Sequence, residues 1–180
     1  MASALFLDRD GVINEEKDGS YIFHKDEFVF YEGALEALAR LSRMFDYVFI
    51  VTNQRGVGRG YMTERALLEI HDHLTEEVVG AGGKIDRIYF APSVDSNHSH
   101  RKPNTGMALD AQKDFPAIDF GQSIMVGNNL SDMQFGRSMG MQTIFLHTTQ
   151  DKINLPHELI DQQYESLAAF YSNCSAAENR

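Results

Sequence analysis

The sequence is poor in cysteine, in positive charge and in long apolar runs, and each shortage excludes a class of protein. The single cysteine, Cys174, excludes an internal disulfide framework and fits a reducing compartment. With 16 basic and 26 acidic residues the net charge is -10, which argues against nucleic acid or an anionic membrane as the main partner. No apolar run approaches the ~20 residues that span a bilayer. Residues 1–4 lack the basic segment of a secretory signal, so we expect a cytoplasmic protein.

Length and composition are those of an ordinary globular domain. The 180 residues are 43% hydrophobic and 23% charged, which suffices for a sizeable core. We therefore predict a single domain over residues 1–180, with no internal repeats. A monomer or a weak dimer is the expected state.

Residues 5–11 carry the motif around which the chain is organised. Three apolar residues end a short predicted strand, Asp8 and Asp10 follow, and Gly11 lets the chain turn. In an extended segment residues two apart point the same way, so both carboxylates can face one site. Acids this close repel each other unless a cation or a proton lies between them, and Mg²⁺ with a phosphate suits two hard oxygen ligands. The alternative is an acidic turn in which both residues merely cap a loop.

Apolar runs and helical patterns alternate along the chain. Five strands are predicted, over residues 5–7, 47–51, 84–91, 123–127 and 141–146. Helices are predicted to begin near residues 33, 63 and 105, a fourth continues to residue 138, and a short last one spans about 166–171. This order predicts an α/β fold with a doubly wound parallel sheet and helices on both faces.

Polar clusters lie at or near four of the predicted strand ends: Asp8 with Asp10, residues 52–59, Arg101 with Lys102, and residues 128–132. The second cluster suits an anion, because glycines let backbone N–H groups approach and arginine offers a planar fork; a flexible connector is the alternative. Pro103 keeps the preceding residue extended, so Lys102 can project from its loop as a charge clamp. Because ligands of such sheets bind outside the carboxyl ends of the strands, the clusters together predict a phosphate site.

Two other features leave alternatives open. Residues 12–30 are too long for a simple turn and form either a functional flap or a surface hairpin. His98 and His100, two residues apart, can be metal ligands, but no cysteine accompanies them. His71 and His73, in the second helix, are interpreted as packed or surface histidines.

Four motifs together resemble the haloacid dehalogenase superfamily of phosphatases: Asp8-x-Asp10, Thr52, Lys102-Pro103 and Gly127-x4-Asp132. The segments FLDRDGVIN, VTNQRGVGRG, RKPNTGM and VGNNLSDMQFG are similar to its subfamily of heptose-1,7-bisphosphate 7-phosphatases and histidinol phosphatases. The resemblance runs from about Leu5 to Phe145. It implies the Rossmann-like core without a cap domain, and the spacing leaves no room for a large cap.

The resemblance also implies a role for each matched residue. Asp8 would be the nucleophile, and Asp10 the general acid and then the base. Thr52 and Lys102 would hold the phosphoryl oxygens as negative charge builds. Mg²⁺ would bind Asp8, the backbone carbonyl of Asp10 and a residue of the fourth motif, Asn128. The rest of a small phosphorylated metabolite would contact the remaining matched positions: Asn53, Gln54, Arg55 and Arg101.

The sequence departs from the family pattern at two places. The family usually has an aspartate where this chain has Asn128, and an amide oxygen brings one negative charge fewer to Mg²⁺, so weaker metal binding is expected. Asp132 is a candidate to compensate through a water. The heptose enzymes also carry cysteines before the Arg-Lys-Pro; here Ala91, Ser93, His98 and His100 fall at the ligand positions, so a structural zinc is not expected.

Three functions follow from these motifs. The first is a Mg²⁺-dependent phosphomonoesterase acting on a small sugar phosphate, most like heptose 1,7-bisphosphate. The second keeps the chemistry but acts on histidinol phosphate or a nucleic-acid 3′-phosphate end, the last of which the acidic charge disfavours. The third is a phosphate-binding protein with a weakened metal site.

Overall fold

The computed structural model describes residues 1–17 and 19–178, so Asp18 in the predicted flap lies outside the described residues, as do residues 179 and 180. Within them, six strands are formed: β1 (Ala4–Leu7), β2 (Tyr47–Asn53), β3 (Arg87–Ala91), β4 (Ile124–Gly127), β5 (Gln142–Leu146) and β6 (Gln162–Tyr164). The α-helices of this part of the chain are α1 (Ala34–Leu41), α2 (Arg55–Gly58), α3 (Glu64–Gly80), α4 (Gly106–Asp114), α5 (Leu130–Ser138) and α6 (Leu167–Glu178). Short 3₁₀ turns cover Lys25–Glu27 and Phe120–Gln122.

The strands form one parallel sheet in the order β3-β2-β1-β4-β5-β6, which confirms the predicted doubly wound sheet. Leu5 of β1 pairs with Val48 of β2 on one side and with Ile124 of β4 on the other. Strand order therefore reverses at β1, and the carboxyl end of β1 is where this topology places ligands.

The central strands are buried on both faces, as their unbroken apolar runs predict. Leu5 and Leu7 pack with the helices of one face, where α1, α3 and α6 supply residues such as Leu38, Leu74 and Phe170. Phe6 packs on the opposite face, where α4 and α5 contribute a second cluster of apolar side chains that includes Met107, Ala108, Met133 and Phe135. The alternation of residues along β1 thus divides the core into two layers, one on each side of the sheet.

The observed elements differ from the predicted ones at several places, and one of them is the short helix α2, which lies within the polar segment 52–59 where no helix was predicted. Strand β3 begins at Arg87, because the Asp86 side chain accepts the Val48 N–H at 2.7 Å where a strand backbone would continue the pairing. Strand β6 was not predicted, since it is a short polar edge strand held by backbone pairing to β5. Helix α6 extends well beyond the predicted 166–171. In the described ranges, no helix combines the length and the apolar character that crossing a bilayer requires.

Candidate active site

A cleft opens at the carboxyl edge of the sheet, beside the end of β1. Its volume is about 260 Å³, near the lower end of the range for small-molecule sites. The four predicted catalytic residues line it, and so do predicted substrate residues Asn53 and Arg55. The long segment after β1 forms another wall through residues such as Glu16, Lys17 and Tyr21. Because residues 12–30 were predicted to form either a functional flap or a surface hairpin, their position at the wall of the cleft fits the first alternative.

Asp8 is the buried carboxylate at the tip of β1. Its Oδ1 accepts the backbone N–H of Arg9 at 2.8 Å and lies 3.0 Å from Nζ of Lys102. Burial raises the pKa of Asp8 to about 7, with repulsion from Asp132 and Asp10 adding to the rise and Lys102 opposing it. The negative form of Asp8 is therefore under-compensated by protein cations, and a further cation beside it would favour ionisation.

Lys102 joins two loops through its ammonium group. Its Nζ lies 3.0 Å from Asp8 and 2.7 Å from Oδ1 of Asp132, and its side chain is 1% exposed. Burial by itself lowers the pKa of Lys102, but Asp132 and then Asp8 outweigh it and raise that pKa. The lysine is thus a fixed cation in the floor of the cleft.

The Lys102 backbone is held by Asn53 at the end of β2. The Asn53 Oδ1 accepts the Lys102 N–H at 3.0 Å, and its Nδ2 donates to the Lys102 carbonyl at 3.2 Å. Although Asn53 lines the cleft, both ends of its amide therefore bind the lysine loop. This pairing tethers the loop after β3 to the tip of β2.

Asp10 is reached by four donors from three different residues. A tight turn after Arg9, closed by the Ile13 N–H on the Arg9 carbonyl at 2.9 Å, returns Asn14 to Asp10. Arg9 donates to Asp10 through Nε at 3.2 Å and through Nη2 at 2.9 Å, and Asn14 donates at 2.9 Å. Gln54 donates to Oδ2 at 2.8 Å. Burial opposes ionisation, but these groups, Arg9 foremost, hold the pKa of Asp10 below its usual range.

Gln54 connects Asp10 with Thr52. Its Nε2 donates to the Thr52 Oγ1 at 2.9 Å as well as to Asp10, and the residue is only 1% exposed. Gln54, a predicted substrate-binding residue, does not line the cleft. It lies behind Asp10 and Thr52, which do. Arg101 is likewise buried, and its Nη1 donates to the Ser93 carbonyl at 3.3 Å. Its side chain also does not line the cleft.

The side chains with which the fourth motif lines the cleft do not include Asn128, the residue that was expected to bind the metal. Asn128 is fully buried beneath Gly11, where an added Cβ would lie 2.0 Å from its Nδ2. That amide donates to Thr149 at 2.8 Å, whereas Asn129, Ser131 and Asp132 line the cleft. Asp132 accepts the Asn129 N–H at 3.0 Å in a capping box at the start of α5, which fixes the carboxylate that pairs with Lys102.

The two loop histidines lie apart from the cleft. The His100 Nε2 is 2.7 Å from the Asp110 carboxylate, and the rings of His98 and His100 are 5.5 Å apart. Across residues 1–17 and 19–178, no three His, Cys, Asp or Glu side chains form a group that could hold a metal ion. A divalent cation at Asp8 would thus have to draw on backbone, amide, water or phosphate oxygens, which is the usual way that Mg²⁺ is held.

Sequence reasoning missed several side chains of this site. Arg9 is not among the predicted site residues, although it stands between the two aspartates and a cation that follows a buried strand needs a neighbouring anion. Lys17 and Tyr21 lie, with Asn14, in the segment predicted as a flap or a surface hairpin, and its lack of periodicity gives no signal for the direction of each side chain. The ring of Tyr21 packs near that of Tyr61, with centroids 6.0 Å apart.

Comparison with known proteins decides the family. The family model described as HAD-hydrolase-like matches residues 99–166. The D-glycero-alpha-D-manno-heptose-1,7-bisphosphate 7-phosphatase of Burkholderia mallei is 41% identical over 159 residues, covering 82% of this chain and 81% of the relative. The chain belongs to the heptose-1,7-bisphosphate 7-phosphatase family of haloacid-dehalogenase-like hydrolases.

Other members of this heptose-1,7-bisphosphate 7-phosphatase family support the assignment. The D-glycero-beta-D-manno enzyme of Photorhabdus laumondii is 34% identical, over 86% of this chain and 85% of that protein. The crystal structure of the D,D-heptose 1,7-bisphosphate phosphatase of B. bronchiseptica, complexed with magnesium and phosphate, has a TM-score of 0.85 at 30% identity. It covers 97% of this chain and 99% of the other. The fold and the resemblance seen in the motifs are thereby confirmed.

Proposed function

We propose that this protein is a Mg²⁺-dependent phosphatase that hydrolyses heptose 1,7-bisphosphate through an aspartyl-phosphate on Asp8. One observation carries the proposal: Asp8 and Asp10 after β1, Thr52 near the end of β2 and Lys102 in the loop after β3 all line one small cleft. The names of the relatives supply the substrate class. The size of the cleft suits a small phosphorylated metabolite better than a polymer.

The donor set at Asp8 fits Mg²⁺. A buried carboxylate that lacks full compensation, beside a backbone carbonyl and a phosphate, offers the hard oxygens that this ion prefers. Asp8, the Asp10 carbonyl and the substrate phosphate would hold it, with Asn128 as the proposed contribution of the fourth motif. When bound, the ion neutralises charge on the phosphoryl oxygens and lowers the pKa of Asp8.

In the first step Asp8 attacks phosphorus while the bond to the sugar oxygen breaks. Lys102 and Thr52 stabilise the charge on the phosphoryl oxygens, because both groups are already fixed, by the carboxylate pairs of Lys102 and by the Gln54 bond to Thr52. The product is the released sugar alcohol and a phosphoryl group on Asp8.

Asp10 donates a proton in the first step and accepts one in the second. Its carboxylate is clamped by Arg9, Asn14 and Gln54 as an anion in the free protein. A phosphate group in the cleft adds negative charge nearby and so raises the pKa of Asp10, which favours the protonated form needed to donate to the leaving alkoxide. The carboxylate left behind then takes a proton from the water that hydrolyses the phosphorylated Asp8.

Two cations at the cleft wall are proposed to contact the second phosphate of a bisphosphate. Arg55 lies at the start of α2, and Lys17 lies on the opposite segment, with its Nζ 2.9 Å from Glu27 and 5.9 Å from the centre of the Phe23 ring. Arginine and lysine are the usual ligands of phosphate. A singly phosphorylated sugar would use this wall less fully and bind more weakly.

The test is phosphate release from a panel of both anomers of heptose 1,7-bisphosphate, histidinol phosphate and nucleotides, with and without Mg²⁺. Asp8→Asn should abolish turnover, while Asp72→Asn, the same substitution at an exposed position of α3, should not change it. Turnover of histidinol phosphate alone would keep the chemistry and replace the substrate. Saturable phosphate binding with no turnover of any compound would instead identify a binding protein.

A further inference from the structure

His71 in α3 is a buried histidine for which the proposed chemistry has no use. It is 4% exposed, and its ring meets the Phe90 ring edge-on with centroids 5.7 Å apart. Its Nε2 lies 3.1 Å from Nη1 of Arg9. A residue far along the chain therefore contacts the arginine that stands between the two aspartates.

The contact fixes the proton on the imidazole. A guanidinium group has only donors, so the Nε2 of His71 must accept, and the ring is neutral with its hydrogen on Nδ1. Burial, followed by the charge of Arg9, lowers the pKa of His71 to about 3, which agrees with a neutral ring. His71 thus offers Arg9 a permanent acceptor.

Arg9 is fully buried and uses different edges for its two partners. Its Nε and Nη2 bind the Asp10 carboxylate, at 3.2 and 2.9 Å, and its Nη1 binds His71. Because the guanidinium is rigid and planar, fixing the Nη1 end also fixes the plane in which the other two groups meet Asp10. The position of Asp10 therefore depends on His71 through one intervening residue.

The histidine carries a structural cost that an apolar side chain would avoid. Among the described residues, the His71 Nδ1 has no hydrogen-bond partner although it is buried. A buried unsatisfied donor destabilises a fold, because it loses its hydrogen bond to water and gains none in return. The bond to Arg9 is the compensating interaction that the structure provides.

We propose that His71 is a positioning residue for Asp10, acting through Arg9 to orient the carboxylate that protonates the leaving group. This rests on the proposed function, since Asp10 has that task only in a phosphatase. Loss of the His71 acceptor should leave the phosphate site formed but let the Arg9–Asp10 pair rotate.

Leaving-group dependence separates this role from general damage. A sugar alkoxide needs a proton as it leaves, whereas p-nitrophenolate leaves without one, so transfer of the phosphoryl group to Asp8 depends on a well-placed Asp10 only for the sugar phosphate. The ratio kcat/KM reports this first step, whereas the later hydrolysis of phosphorylated Asp8, which also uses Asp10, is common to both substrates. His71→Leu should lower kcat/KM for the sugar phosphate on the order of 10- to 100-fold, the usual effect of losing an outer hydrogen-bond partner. For p-nitrophenyl phosphate the loss should be roughly threefold or less.

Three further variants complete the experiment. His71→Gln supplies an amide oxygen that can accept from Arg9, and it should recover most of the sugar-phosphate activity. His71→Met is a second apolar replacement, to be compared with His71→Gln if the leucine variant does not fold. His73→Leu makes the same change on the same helix at a partly exposed ring, 4.0 Å from Glu77, and should affect neither substrate.

Nitrogen NMR gives a readout that does not depend on activity. The wild-type His71 ring should show the neutral tautomer protonated at Nδ1, and a ring protonated at Nε2 would overturn the proposal. Equal losses on both substrates, no loss on either, or a glutamine variant no better than the apolar ones would also overturn it. If the wild-type protein hydrolyses neither substrate, the proposed function has failed, and the tautomer still reports whether the Arg9 contact exists.

Discussion

Replacing Lys102 with methionine removes a buried charge while keeping an unbranched side chain that is one atom shorter. The ammonium group is the shared partner of Asp8 at 3.0 Å and Asp132 at 2.7 Å. The exposed fractions of the two carboxylate side chains are 12% and 1%, so water can do little to replace the lost cation. Lys102→Met therefore leaves two carboxylates close together in a site of low dielectric constant.

The expected loss of stability follows from that geometry. Removing one partner of a buried ion pair costs about 3–5 kcal/mol, and the slight exposure of Asp8 places this case near the lower figure. For a protein of this length, each kcal/mol lowers Tm by about 2–4 °C, so the variant should melt roughly 6–12 °C below the wild type. Activity should fall on the order of 10²–10³-fold, because a fixed cation at the phosphoryl oxygens is gone.

The loss should grow as pH rises. The pKa of Asp8 is about 7 with Lys102 present, and Lys102 opposes the rise, so the pKa goes higher in Lys102→Met. A folded carboxyl with a raised pKa holds its proton where the unfolded chain has released it, which lowers stability as pH increases through that interval. The difference between variant and wild type should therefore be larger at pH 8 than at pH 5.

Urea unfolding at pH 5 and at pH 8 measures the loss of stability in Lys102→Met and its dependence on pH. Lys84→Met is the matched control, since Lys84 is 41% exposed and its pair with Asp86 at 3.2 Å is a surface one. That control should lose less than about 1 kcal/mol, with little dependence on pH. The reasoning is refuted if Lys102→Met loses as little as the control, or if its loss is the same at pH 5 and pH 8.

Two more predictions concern Asn128 and His71. Asn128→Asp removes the donor to Thr149 and sets a carboxylate near Glu16, whose Oε2 lies 3.4 Å from the amide nitrogen, so thermal unfolding without metal should show a loss of about 1–2 kcal/mol. Calorimetry should show that the same variant binds Mg²⁺ more tightly, and unchanged affinity would count against Asn128 as a ligand. The pKa of His71 is lowered from 6.5 to about 3, so the unfolded chain takes up a proton in that window that the folded protein refuses, and stability is lost as pH falls. At pH 5 this loss is about 2 kcal/mol, and urea unfolding should show that His71→Gln lacks it.

Most of the fold could be predicted from the sequence, because the patterns that indicate strands and helices involve residues close together in the chain. Buried parallel strands give unbroken apolar runs, and the alternation with amphipathic segments leaves few topologies open. The same reasoning missed β6, whose residues Gln162–Tyr164 are polar and are ordered only by pairing with β5. It also placed the start of β3 too early, because the Asp86 side chain ends the pairing by binding the Val48 N–H.

The sequence predicted where the cleft lies, but only some of the side chains that line it. Parallel strands bring their carboxyl ends to one edge, so the order of motifs predicts which loops meet there. It does not predict which side chain of a loop faces the cleft. Gln54 and Arg101 belong to the matched motifs, yet the first binds Asp10 and Thr52, and the second binds the Ser93 carbonyl.

The sequence by itself determined the parallel sheet, the edge at which the polar loops meet, and the resemblance that names the family. Tertiary structure alone decided the partners: the pairing of Lys102 with both Asp8 and Asp132, the packing of Asn128 under Gly11, and the contact of His71 with Arg9. The physical reason is that periodicity and backbone preference act over a few residues. The direction of a buried polar side chain is instead set by whichever donor or acceptor the rest of the fold brings within about 3 Å of it.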